Sequence, residues 1–291
     1  MSTLSNRQKL SEGENFKEIP LKVRILLSHA HLQNLAETVG ADLLHIKGYI
    51  FGQDTYPTTR TSTDVDILVR PSHVDRLVAA LKSAGWEVLT TFETGSDYHH
   101  AMTVYHPTWG LADVHRAFPG LGLDNTLTFE KLWQQRRTKF IAHFPCTTTS
   151  LIDSRILVYI HAARSTSPVK SDVIYLEELL DENEKSAVQI RVKELDAELA
   201  YAAALGTIDQ YANRRDYLLW KTASQKSSDV VRWYARVKAA KGPIAKTKTI
   251  IDIFTVNRDH LAMELGHAPS PREVREKFFS RFIVWKRKGK S

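Results

Sequence analysis

Residues 61–70 read TSTDVDILVR, and the reading of this stretch decides the fold. Val65, Ile67 and Val69 alternate with Asp64, Asp66 and Leu68, the period of two that marks a strand. Pro71 stops it, because proline cannot donate to a ladder. Residues i and i+2 of a strand share a side. Asp64 and Asp66 therefore project together, while Val65 and Ile67 face the other way. Two such carboxylates lose water and raise each other's pKa unless a cation compensates. Hard oxygen ligands suit Mg²⁺, which takes one or two protein carboxylates and fills its shell with water and substrate phosphates. A two-ion site needs a further acid from elsewhere.

Working outward, residues 20–39 carry a helical period, and LLHI (43–46) reads as a short buried strand. It runs into Lys47-Gly48, after which YIFGQ opens a helix, and GQDTYPTTRTS (52–62) is a polar loop. Ser72 with Asp75 has the spacing of a capping box; the helix it starts ends at Gly85, and 86–92 is a strand. YHHAMTVYH (98–106) and LADVH (111–115) flank PTWG as a hairpin. A helix over 127–137 and a strand over 139–144 follow. From Ser150 onward nearly everything repeats every 3.6 residues, with helices expected at 151–164, 172–181, 184–205, 208–221, 227–240, 246–265 and 271–287. The expected class is α+β: a catalytic unit over 1–148 built on a mixed sheet with flanking helices, then an all-helical unit over 149–291.

Asp113 is the natural third acid. In LADVHRAF it shares a strand face with Leu111 and His115, opposite Ala112 and Val114. Singly, each acid reads as a turn residue or an arginine's partner; together, with Lys47-Gly48 upstream, they read as a metal site. Glycine lets a phosphate approach the backbone, a helix N-terminus offers free N–H groups, and Lys47 adds charge. GxxxxGK[ST] is absent, so this is no Walker loop. Arg60 is a phosphate clamp or a solvated loop residue. His115 can hydrogen-bond a ligating carboxylate or touch phosphate, and His100 can point into the same cleft; both read equally as ordinary strand histidines. Of His161 and Arg164, three apart in IHAARS, either can reach a nucleotide; a satisfied core histidine is the plainer reading of His161. No HExxH or Cys/His spacing supports zinc among His99, His100, His106 and His115.

The order IKG…R…DVDILV…LKSAGW…LADVH resembles the nucleotidyltransferase superfamily with the DNA polymerase β-type fold, and within it the bacterial family of uncharacterised nucleotidyltransferases. The likeness is specific over 43–115 and softer in the helical half, at IHAARS and APSPREVREKF (268–278). It implies a small mixed sheet followed by helices, Mg²⁺ on Asp64 and Asp66, Asp113 as third acid, and Gly48 against a triphosphate. The chain departs from the superfamily's Gly-Ser pattern, since Tyr49 follows Gly48.

The bulk properties fit. The chain has 291 residues, is 43% hydrophobic and 25% charged, and has a net charge of +7. That balance favours an anionic partner, nucleotide or nucleic acid, or serves solubility alone. No apolar run is long enough for a membrane span, the first residues lack a secretory h-region, and a single cysteine, Cys146, fits a reducing cytoplasm and a packed thiol. The basic tail 272–290, with aromatics between its Lys and Arg, can bind phosphates and stack bases or form a terminal helix that buries Phe278, Phe282 and Trp285 and exposes its basic face, and the helix is the preferred reading.

The leading expectation is transfer of a nucleoside monophosphate from an NTP to a hydroxyl, with release of pyrophosphate and two Mg²⁺ ions (or Mn²⁺) on Asp64, Asp66 and Asp113. Acceptors that suit are RNA, including a tRNA end as for nucleotidyltransferase toxins, a protein, or a small molecule such as an aminoglycoside. The competing expectations are a catalytically degenerate core that binds nucleic acid or a protein partner, and a kinase-like phosphoryl transferase on the same acids.

Overall fold

The structure, a computed structural model, describes residues 19–95 and 98–288; for Phe254 and residues 281–288 the side chains are left aside. The expected helix positions of Phe282 and Trp285 therefore lie outside the described side chains.

Seven strands form one mixed sheet in the order β3-β4-β5-β2-β1-β7-β6. They are β1 (Leu43–Ile46), β2 (Asp64–Val69), β3 (Glu87–Val88), β4 (Ala101–His106), β5 (Gly110–His115), β6 (Arg137–Ile141) and β7 (Phe144–Thr148). β2 lies antiparallel to β1 and parallel to β5, and β5 is antiparallel to β4. On one face Val65, Ile67, Val69, Ala112 and Val114 pack against α1 (Leu21–Thr38) and α2 (Val74–Ser83), through Ile25, Leu32, Leu77 and Leu81. On the other, Leu44, Ile46 and Leu68 pack against α3 (Asn125–Gln134) and α4 (Leu151–Ala163).

Ser150 starts α4 by accepting a hydrogen bond from the Asp153 backbone N–H. α4 is buried nearly all round, and its Ile156, Leu157 and Ile160 join the sheet residues and Leu199, Ala203 and Trp220 in a single core cluster. Beyond it come α5 (Ser171–Leu179), α6 (Glu182–Glu194), α7 (Glu198–Leu205), α8 (Tyr217–Ser224), α9 (Asp229–Ala239), α10 (Gly242–Phe254), α11 (Arg258–Leu265) and α12 (Pro271–Lys288). No described helix is long and apolar enough to cross a membrane. Cys146 is fully buried, and burial pushes its thiol up to about 12, so it packs rather than reacts.

Several local expectations are corrected. The capping box at Ser72 does not form: Pro71 opens a 3₁₀ turn, and His73 accepts from the Asp42 N–H instead. The strand over 86–92 shortens to Glu87–Val88. The expected strand over 139–144 is a hairpin, β6–β7, turning at Ala142 and His143, both with positive φ. The helix over 184–205 breaks at Asp196, also at positive φ, and that over 246–265 breaks after Phe254. Over 208–221 a 3₁₀ turn precedes α8.

Candidate active site

The register of the sheet assembles the acids. Asp66 on β2 lies directly opposite Asp113 on β5, and Leu68 opposite His115, so Asp64, Asp66, Asp113 and His115 share one face. Asp113 in turn faces Thr103 on β4, whose hydroxyl donates to its Oδ1 at 2.7 Å. Ligand atoms of Asp66, Asp113 and His115 lie within 4.8 Å of one another, the one such group of three among the described residues. Asp64 stands one step further along β2, partly buried.

Asp66 is the centre of charge. Lys47 Nζ lies 2.6 Å from its Oδ1, and His115 Nε2 lies 2.8 Å from the same oxygen. Burial alone would raise the Asp66 carboxyl, but Lys47 and His115 outweigh it and hold it well below the usual carboxylate range. Asp113 has no such cation beside it: burial, then the charge of Asp66, push it up to about 6. The same two causes raise Asp64, against Lys47 and the Ser62 hydroxyl. Burial drives His115 down to about 4 despite its bond to Asp66. It is therefore neutral near pH 7 and donates through Nε2, which leaves its Nδ1 buried without a partner. The oxygen-rich donor set and this unsatisfied nitrogen fit a divalent cation.

Lys47, which reaches Asp66, has φ 62° and ψ −177°, a backbone conformation that a side-chain-bearing residue rarely adopts. Gly48 continues it at φ 62°. A Cβ at Gly48 would come 3.1 Å from Ser62 Oγ. Ser62 itself donates to the Asp64 carbonyl at 2.9 Å. A 3₁₀ turn, Gly48–Ile50, replaces the expected helix. Gly48, Tyr56, Arg60 and Lys22 line a cleft of about 290 Å³. Arg60 lies over the Tyr56 ring at 5.4 Å and 3.7 Å from Asp172, so it is a rim residue shared with α5.

A second layer comes from α4 and from just before β4. Arg164 donates to His100 Nε2 and to His161 Nδ1, each at 3.2 Å. Burial first, with nearby positive charge, pushes His161 down to about 3; burial, then the charges of His115 and Arg164, push His100 to about 2. Both accept as neutral rings. The His100 and His115 rings lie 5.2 Å apart, which joins this layer to the acids. His99 and His106 turn elsewhere, to Asp252 and to the Thr108 N–H.

The structure thus gathers Asp64, Asp66, Asp113, Lys47 and His115 directly, places Arg164 beside His100, and sets Gly48 and Arg60 on the adjoining cleft. Sequence reasoning missed two groups. Ser62 lay inside the opening stretch, but only the folded loop brings its hydroxyl over Gly48. Thr103 was legible in principle, as the hydroxyl cross-strand from an acid in the predicted hairpin.

A family profile described as an uncharacterised nucleotidyltransferase matches residues 22–213. Among solved structures, the chain is similar to the lincomycin-bound crystal structure of the lincosamide antibiotic adenylyltransferase LnuA, at 15% identity and a TM-score of 0.36, covering 53% of this chain and 94% of that one. It is similar to the antibiotic-resistance factor ANT(2'')-Ia in solution, at 15% identity and a TM-score of 0.36, over 66% and 94%. It is also similar to an antigenic nucleotidyltransferase-like protein from Paracoccidioides brasiliensis, at 14% identity and a TM-score of 0.38, over 62% and 93%. No curated protein matches.

Proposed function

We infer the reaction from one premise: the chain belongs to the family of uncharacterised nucleotidyltransferases, and it is an enzyme of that kind. The reading supported best is transfer of a nucleoside monophosphate from an NTP to a hydroxyl acceptor. The oxygen of the acceptor attacks the α-phosphorus, the bond to the β-phosphate oxygen breaks, and pyrophosphate leaves. The observation that carries this reading is the pairing of Asp66 with Asp113 across β2 and β5, with Asp64 on the same face.

Asp64, Asp66 and Asp113 would hold Mg²⁺, two ions in our reading, with Mn²⁺ as a substitute, and His115 stands within reach as a further ligand or an orienting donor. Such ions, when bound, neutralise phosphate charge as it develops. Asp113 takes the proton of the acceptor hydroxyl. Its carboxyl, at about 6 in the free protein, is close to the working pH at which a general base is most effective. Lys47 orients Asp66 and lends charge to the triphosphate. Gly48 lets the phosphates approach, and Ser62 supplies beside it the hydroxyl that Tyr49 does not. Arg60 clamps from the rim. His161 and Arg164 hold substrate from the helical side.

The test is incubation with each α-³²P-labelled NTP, Mg²⁺ or Mn²⁺, and separate pools of RNA, protein and small hydroxyl compounds. Label should enter one pool with wild type and not with Asp66→Asn. Label that enters from γ-³²P and not α-³²P NTP would establish phosphoryl transfer instead.

A further inference from the structure

Residues 230–251, VVRWYARVKAAKGPIAKTKTII, carry six Lys or Arg and no Asp or Glu. They make up most of α9, the turn after it and most of α10, beyond residue 213 where the family match ends. The two acids that bound the stretch are engaged: Asp229 pairs with Arg232, and Asp252 with His99.

The two helices have distinct sides. Trp233, Arg236, Ala239, Thr249 and Asp252 turn inward and line a cavity beside Arg164. Tyr234 and Lys238 lie four apart on the outer side of α9. Lys241, Ile244, Lys248 and Ile251 follow along α10 at spacings of three and four, which is one face of a helix. All six are exposed, and so is Lys246.

No described group forms an ion pair or hydrogen bond with the ammonium of Lys238, Lys241, Lys246 or Lys248. Such a run of one sign raises a positive potential that draws in a polyanion. The exposed non-polar groups narrow the choice, because they are interleaved with the lysines. A helix that seeks a bilayer keeps the two kinds on separate faces, and one that docks a protein helix presents an unbroken apolar stripe. Lysines interleaved with an exposed tyrosine suit a sugar-phosphate backbone with unpaired bases: the ammoniums meet phosphates, and Tyr234 offers a ring face to a base.

We propose that the outer face of α9 and α10 binds RNA through its phosphates, and that this RNA is the acceptor. RNA is preferred to duplex DNA because a base stacks on an exposed ring only where it is unpaired, as at RNA ends and loops. The acceptor role rests on the nucleotidyl-transfer reading and names its substrate class. The oxygen of a hydroxyl at the strand's end bonds to the α-phosphorus, its proton passes to Asp113, and pyrophosphate leaves. A polymer held on this face spans the distance to the acids with its own length.

The experiment is fluorescence anisotropy of the full chain with an end-labelled single-stranded RNA over a series of KCl concentrations. RNA should bind, with affinity falling as salt rises. Lys241→Gln with Lys248→Gln should raise Kd on the order of tenfold and flatten the slope of log Kd against log salt by roughly 1.4, the loss of two phosphate contacts. Lys82→Gln with Lys193→Gln, on the exposed sides of α2 and α6, removes the same charge and should leave Kd within about twofold of wild type. Tyr234→Ala should weaken RNA about fivefold or more and leave duplex DNA unchanged. Duplex DNA, a polyglutamate peptide and phosphatidylserine vesicles are the competing probes, and each should bind more weakly than RNA. No RNA binding, equal effects of the two lysine pairs, or tighter binding of a competing probe would overturn the proposal. The acceptor role is read separately, from transfer of α-³²P label. Label should enter RNA, with KM for RNA raised by the Lys241 and Lys248 changes and KM for NTP unchanged. Label entering only protein or small molecules would overturn that role. No label in any pool, with RNA bound as described, would refute nucleotidyl transfer and leave the RNA surface standing.

Discussion

The two faces of β2 are built from neighbouring residues and do opposite work. Val65, Ile67 and Val69 are fully buried against α1 and α2. Each such side chain contributes roughly 1.5–3 kcal/mol by leaving water. On the other face Asp66 keeps its charge only because Lys47 and His115 attend it, and Asp113 is pushed up to about 6. One face stabilises the sheet. The other holds unfavourable electrostatics, raised carboxyls beside a charged one, that a bound cation would relieve, and the apolar face holds those charges in register.

The contrast breaks most visibly when each face is changed alone. Asp66→Asn should lower kcat on the order of a thousandfold, about 4 kcal/mol of transition-state stabilisation, with circular dichroism unchanged. Ile67→Ala should do the reverse: a stability loss of about 2–4 kcal/mol in urea, with turnover per folded molecule within about twofold of wild type. If Ile67→Ala cut turnover as deeply as Asp66→Asn, the two faces would not be separable.

A smaller effect sharpens the comparison. Asp113→Asn removes a carboxyl whose folded pKa lies above its unfolded one. The folded state then binds more protons between about pH 4 and 6, so wild-type stability falls as pH rises through that window. The variant should therefore be more stable than wild type by about 1–2 kcal/mol at pH 7.5, and equal to it near pH 3.5, as measured by urea denaturation.

The smallest effect comes from the apolar side. His29 on α1 and His45 on β1 lie fully buried with their Nδ1 atoms 2.9 Å apart. Burial pushes His29 down to about 4, and burial, then the charge of His29, holds His45 well below its ordinary value. Here the sign is opposite: the unfolded chain takes protons below about pH 6.5 while the folded pair does not, so stability is lost as pH falls from there toward 4. The loss between pH 6.5 and 5.5 should be about 1 kcal/mol for each ring, and His29→Leu should flatten that slope in urea melts.

Much of this was legible before the fold was. The alternation in DVDILV placed both acids on one face, and LADVH placed Asp113 and His115 on another strand's matching face; the register then made Asp66 and Asp113 opposite partners. The helix start at Ser150 was legible too, since a side-chain cap stands there. The misses share a cause. Ala142, His143 and Asp196 adopt positive φ without being glycine or asparagine, so no turn residue announced the β6–β7 hairpin or the break before α7. Ser62 meets Gly48, and Arg164 meets His100, only through contacts distant in sequence. TSTDVDILVR thus held more than its two aspartates: Ser62 belongs to the same site, set over Gly48 by the loop that brings the chain back into β2.

The most direct test of the central claim, that the acid face stores a cost which cation and nucleotide relieve, is the melting temperature with and without Mg²⁺ and a non-hydrolysable NTP analogue. Wild type should rise by several degrees, and Asp113→Asn, already the more stable when free, should rise little or not at all. An equal rise in the two proteins would contradict the account.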